Sequence, residues 1–130
     1  MSFMLKELNS GSAAKTSSKI VSDFIHKVIK ATGAQERLIA QGIAMAESQF
    51  NRLASKKSGG VKIQTIYPLK RLEKLFQEAE KTFSKAGMKK WLTSPNPYLD
   101  DVPPILCLRT DKELDRVLSL LASIRYGFPA

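Results

Sequence analysis

The sequence predicts an all-α fold, on three observations. Apolar residues recur at helical spacing over 20–29, 69–83 and 114–124. Capping residues and glycine or proline stops bound these stretches. The 130 residues are 43% hydrophobic, enough to bury one core. The expected architecture is a bundle of short N-terminal helices joined by a connector helix to a small C-terminal helical unit.

Residues 9–18 (NSGSAAKTSS) are small and polar, so 1–17 is expected to be a mobile leader ending in a helix cap. From Ser18, Ile20, Val21, Phe24, Ile25, Val28 and Ile29 form the apolar face of a first helix, closed by Gly33. Residues 35–41 make a short second helix with Leu38, Ile39 and Ala40 inward. Residues 45–55 make a third, with Phe50 and Leu53 buried. Val61 to Tyr67 is rich in β-branched residues but too short to assign by period, and is expected to be loop.

Pro68 then opens the connector helix, over 68–86, in which Leu69, Leu72, Phe76, Ala79 and Phe83 form a seam at 3, 4, 3, 4 spacing. That spacing fits an intrachain core or a contact with a second copy, the first being the default. Residues 88–93 make a further turn or two of helix, stopped by Pro95 and Pro97. Tyr98 to Val102 reads as loop and Pro103 to Leu108 as a proline-opened knuckle. Thr110 and Glu113 read as a capping box, with Glu113 returning to the cap's N–H. The last helix buries Leu114, Val117, Leu118, Leu121 and Ile124 and ends at Gly127.

Charge and chemistry exclude several function classes. With a single histidine, His26, and a single cysteine, Cys107, the chain offers no intrachain disulfide and no typical zinc site. It also lacks H-E-x-x-H and P-loop motifs, so neither catalysis, a cofactor nor a metal is expected. His26 reads as an ordinary exposed side chain and Cys107 as a small core residue. No signal-peptide-like apolar run opens the sequence and nowhere do 18 apolar residues run together, so a cytoplasmic protein with no membrane partner is expected.

The formal charge of +9 favours a polyanionic partner, and the excess is N-terminal: residues 1–62 hold ten basic and four acidic side chains, against eleven and eight in 63–130. Residues 36–53 (ERLIAQGIAMAESQFNRL) have helix-turn-helix spacing, with Ala40 at the crossing and Ile39, Ile43, Met45, Phe50 and Leu53 as anchors. That makes 18–67 a candidate DNA-binding region. Glu47, Ser48, Asn51 and Arg52 fall on the outer face of its second helix, with Gln49 beside them and Lys56, Lys57 and Lys62 beyond. The candidate contacts with operator DNA are Ser48, Gln49, Asn51, Arg52, Lys56 and Lys57. Ala44 stands where the turn usually has glycine, Ala46 where the cap is usually Ser or Thr, and Glu47 brings negative charge towards DNA.

Residues 87–130 read GMKKWLTSPNPYLDDVPPILCLRTDKELDRVLSLLASIRYGFPA. In order, they carry Trp91-Leu92, a turn over Pro95 to Pro97, Pro104-Ile105 with Leu108, Thr110 leading the final helix, and Ile124-Arg125-Tyr126-Gly127. This stretch resembles the toxin-binding domain of the Xre/MbcA/ParS antitoxins, which join a helix-turn-helix to such a domain through a Leu/Phe-seamed helix. Asp100-Asp101 stands where that family often has glycine before the knuckle, and Glu113 where it often has glycine early in the last helix.

The resemblance implies a type II antitoxin that binds a cognate toxin, commonly a RES-domain enzyme that destroys NAD, and represses its own operon. It also implies a homodimer or a higher toxin–antitoxin hetero-oligomer. Toxin contact maps to Arg125, Tyr126, Gly127, Phe128, Pro129 and Ala130, on a scaffold shaped by Trp91, Leu92, Pro95, Pro104 and Thr110. Two alternatives stay open: a stand-alone helix-turn-helix regulator with a C-terminal dimerisation domain, and a toxin-binding module that has lost DNA binding.

Overall fold

The structure, a computed structural model, describes residues 15–127. The proposed contacts Phe128, Pro129 and Ala130, and residues 1–14 of the expected leader, lie outside the described residues. In chain order the elements are β1 (Lys15–Ser17), α1 (Ser18–Thr32), α2 (Glu36–Gly42), α3 (Glu47–Ser55), β2 (Gly60–Lys62), α4 (Ile63–Thr82), α5 (Lys85–Thr93) and α6 (Asp111–Tyr126). Two 3-10 turns, Pro97–Leu99 and Pro104–Leu106, link α5 to α6.

The fold is helical, as the periodicities predict, apart from one two-stranded ribbon. Lys15–Ser17 pairs antiparallel with Gly60–Lys62, in the register Lys15 with Lys62, Thr16 with Val61 and Ser17 with Gly60. Thr16 and Val61 face inward and are buried, while Lys15 and Lys62 face outward. The last residues of the expected leader and the first of the expected loop are therefore strands. Their pairing partner lies some 45 residues away along the chain, beyond the reach of any local pattern.

Past the ribbon, Ser17 Oγ accepts from the Ile20 N–H to cap α1, and Gly33, at φ 66°, closes it in the left-handed conformation. α4 begins at Ile63, five residues before Pro68. Ile66 is fully buried and extends the Leu69, Leu72, Phe76 and Ala79 stripe upstream by one turn, and this burial offsets the hydrogen bond the proline cannot make. The seam is intrachain core: all four of those residues are buried within the chain. Phe76 meets Phe24 of α1 edge-on at 6.4 Å between ring centres, and Phe83 stacks on Trp91 at 5.4 Å. One continuous hydrophobic core runs from Val21 to Leu121, so the helix-turn-helix and the C-terminal helices share a single interior.

Candidate functional site

Over 36–55 the chain forms two short helices, α2 and α3, joined by a tight turn. Ile39, Ile43, Met45, Phe50 and Leu53 are all buried, and full burial of side chains of this size contributes about 1.5–3 kcal/mol each. Leu38 is only half-buried, because α2 turns its Ile39–Ala40 edge inward. Ala44 adopts the left-handed conformation at φ 58° that this turn requires, a conformation unfavourable by about 1–2 kcal/mol for a residue with a Cβ. Ala46 caps α3 with no side-chain hydrogen bond, and Glu47 in the first turn supplies the negative charge that the helix N-terminus favours.

Ser48, Asn51 and Arg52 are exposed on one side of α3, Gln49 is half-buried, and Lys56 and Lys57 follow in solvent. Lys57 turns back towards α1, its Nζ 3.4 Å from Ser22 Oγ. The same α1 surface fixes the end of α3: Ser22 Oγ donates to the Ala54 carbonyl, as does His26 Nε2 at 2.8 Å. His26 is thus a helix-to-helix tie rather than a passive surface residue.

In the C-terminal half, each break in the helices is stabilised by a side chain. Ser84 caps α5 by accepting from Gly87 N–H, and Asn96 Oδ1 accepts from Tyr98 N–H to start the first 3-10 turn. Asp100 and Asp101 hold left-handed conformations, at φ 58° and 62°, so aspartate keeps the backbone shape for which glycine is the easier residue. Arg116 of α6 pins this corner by donating to the Tyr98 carbonyl at 2.8 Å and to Asp100.

Thr110 Oγ1 accepts from Glu113 N–H, the first half of the predicted capping box. The second half differs. Glu113 reaches one residue further, accepting from the Arg109 N–H at 2.9 Å and from the Arg109 guanidinium at 2.9 Å. The Arg109 side-chain bond, ahead of the opposing effect of burial, lowers the Glu113 pKa below its usual value. Cys107 is half-buried rather than core, its Sγ 3.6 Å from the Pro103 carbonyl; burial raises its thiol pKa, which keeps it protonated and unreactive.

The scaffold residues lie together around α5. Leu92 and Pro104 are buried, while Trp91 is half-buried beside Phe83 and lines an apolar groove with Gly87, Lys90 and the exposed Pro95. The tail residues lie at the end of a second groove, between α4 and α6. Leu118, Ala122, Arg125 and Tyr126 face Lys74, Glu78 and Thr82 across it. Tyr126 is 62% exposed and Gly127, at φ 75°, ends α6. Arg125 is already engaged: its Nη1 lies 3.5 Å from Glu78 Oε1 and its guanidinium 5.3 Å from the centre of the Tyr126 ring. Glu78 also accepts from Lys81, and that bond first, then neighbouring cations, lower its pKa.

The feature missed at the sequence level is Arg71 of α4, which joins the two halves. Its Nε donates to the Leu108 carbonyl at 2.6 Å, and its Nη2 to the carbonyls of Ile43 and Arg109 at 3.1 Å. One guanidinium thereby holds the helix-turn-helix turn against the start of α6. Leu108 N–H donates to the Gly42 carbonyl at 3.0 Å, and a Cβ on Gly42 would overlap the Ile105 carbonyl oxygen. The only sequence signal for Arg71 is a cation, beside Lys70, between the seam residues Leu69 and Leu72.

Residues 71–127 match the family model described as the antitoxin Xre/MbcA/ParS C-terminal toxin-binding domain. The match begins at Arg71 itself and takes in most of α4 as well as α5 and α6. A chain in the crystal structure of the M. tuberculosis MbcT-MbcA toxin-antitoxin complex shares the fold, with 18% identity and a TM-score of 0.59 over 85% of this chain and 98% of that one. No curated protein matches the chain. Among the described residues no group of His, Cys, Asp and Glu is placed to hold a metal ion, and no helix is long and apolar enough to cross a membrane.

Proposed function

We propose that the chain is the antitoxin of a type II toxin–antitoxin system, whose toxin-binding domain neutralises a cognate RES-domain, NAD-degrading toxin by occupying its active-site cleft. Its helix-turn-helix head binds operator DNA and represses the shared operon. The observation that carries the first part is the family match over 71–127, on a segment whose loops and caps are fixed by side-chain bonds of their own. Arg125, Tyr126 and Gly127 end α6 at an exposed edge, where a guanidinium and an aromatic ring offer charge-assisted bonds and contact area with few rotors. Arg125 uses one nitrogen on Glu78, and the other N–H groups of its fork remain available to a toxin carboxylate.

The second part rests on the buried anchors, the exposed Ser48, Asn51 and Arg52, and the N-terminal excess of positive charge. The protein acts by binding in both roles, in the cytoplasm, as a homodimer or within a larger complex with the toxin. Co-expression with the product of the adjacent gene tests the reading. A stable complex that restores growth is expected, with rescue weakened by deleting residues 125–130. Normal growth of cells making the neighbour alone would contradict it.

A further inference from the structure

The surface that follows Glu47 along α3 is strongly basic. Between Ser48 and Lys62 the sequence has no Asp or Glu and four cations, Arg52, Lys56, Lys57 and Lys62. The ribbon adds a fifth, because Lys15 lies directly opposite Lys62 on its exposed face. The Lys15 stem covers Gly60, and the Lys56 Nζ lies against Gly59, so both side chains converge on the turn that leads from α3 into β2. Among the described residues, none of these five cations lies within salt-bridge distance of a carboxylate, and only Lys57 feels one nearby, that of Asp23, which is itself bonded to Lys19.

Like charges directly opposed on a ribbon are destabilising. Two lysines opposed in this way, neither of them in an ion pair among the described residues, suit an anionic partner. The patch lacks what other polyanions need. Among the described residues, none of the four exposed large apolar side chains, Tyr67, Tyr98, Ile124 and Tyr126, belongs to α3 or the ribbon, so these two elements offer neither a ring for stacking single-stranded bases nor an apolar anchor for a membrane. The chain runs from the outer face of α3 through four residues, 56–59, into this ribbon, as a backbone-tracking element flanking a groove-reading helix would.

We propose that the β1/β2 ribbon is a second nucleic-acid contact, in which Lys15 and Lys62, with Lys56, hold backbone phosphates of the duplex whose groove α3 enters. This deepens the DNA-binding part of the proposed function and rests on it. Phosphate contacts position a protein without reading sequence, so the ribbon contributes affinity and salt dependence rather than base selectivity.

The test is an anisotropy titration of the full chain with a labelled duplex from upstream of its own gene, and with a scrambled duplex of the same composition, across a range of salt. In the double variant Lys15→Gln/Lys62→Gln, affinity for both duplexes is expected to fall by a similar factor, about tenfold, and the log–log salt slope to flatten by about 1.8, the value for two lost phosphate contacts. Lys62→Glu is the control for folding. It sets a carboxylate opposite Lys15, so thermal stability should hold or rise while binding falls to a similar extent, the net charge change of −2 being the same. Wild-type binding with a slope unchanged in both variants would overturn the ribbon contact and leave the α3 reading standing. No wild-type binding to either duplex would overturn DNA binding as a whole. Tighter binding to a single-stranded RNA, lost in the same variants, would overturn the duplex assignment.

Discussion

Two regions, the head over 35–55 and the domain over 84–126 that the antitoxin model matches, start most of their helical segments in different ways. In the domain, Ser84, Asn96 and Thr110 each accept a backbone N–H at the start of a helical segment, and Arg116 and Glu113 secure the loops between them. In the head, α2 and α3 begin at Gln35 and Ala46 with no side-chain cap, and Ala44 holds a left-handed turn. A missing cap costs about 1 kcal/mol and a left-handed alanine about as much. The head is therefore held by its buried anchors, by Ser22 and His26 of α1 on the Ala54 carbonyl, and by Arg71 on the Ile43 carbonyl and Leu108 on the Gly42 carbonyl. The domain carries its own local support, and the head borrows part of its support from the domain.

The most severe way to break that dependence is at the Gly42 contact. Gly42→Ala forces the backbone of the Pro104–Leu106 turn away from α2, and a loss of about 2–3 kcal/mol in denaturant unfolding is expected. Arg71→Met comes next, at about 2 kcal/mol, since it leaves three carbonyls without their charged donor. Asp111→Asn should change stability little, because that carboxylate is 91% exposed and 3.7 Å from Arg71. An Arg71→Met protein as stable as wild type would show that the head does not lean on the domain.

The sequence made most of the core legible, and the reason is visible in particular residues. Ile39, Phe50 and Leu53 are buried where helical spacing places them, and Thr110 caps α6 as its position before Asp111 and Glu113 indicates. Patterns of side chains encode such features locally. Lys15–Ser17 was illegible because its strand exists only through pairing with Gly60–Lys62, and α4 starts before Pro68 because burial of Ile66 outweighs a lost backbone bond. Arg71 was illegible for a related reason: its partners are backbone carbonyls, which leave no mark in the sequence. Where the tail contacts were expected, Arg125 is already paired with Glu78, a contact across 47 residues that spacing does not reveal.

A smaller substitution sharpens the contrast from the other side. Ala44→Gly removes the left-handed penalty and should stabilise the protein by about 0.5–1 kcal/mol, after the extra chain entropy that glycine brings to the unfolded state. Unchanged or lowered stability would mean that the turn carries no strain.

The smallest effect is on acid stability. Glu113 and Glu78 have pKa values lowered in the folded state, so the unfolded chain binds more protons around the usual glutamate value of 4.5. Their contribution is present above that pH and is lost as pH falls through the lowered folded values. Glu113→Gln should therefore flatten the melting temperature's decline in acid while lowering it slightly at neutral pH. An identical pH profile in the variant would remove the Arg109–Glu113 link from the stability of the domain.

The division of labour between the two halves is tested most directly by one calorimetric titration of the full chain with the adjacent gene's product, repeated with Arg52→Ala and with Tyr126→Ala. Tight binding by wild type and Arg52→Ala, weakened at least tenfold by Tyr126→Ala, is the predicted result. Absence of binding by the wild-type chain, or loss through Arg52 with Tyr126 neutral, would contradict it.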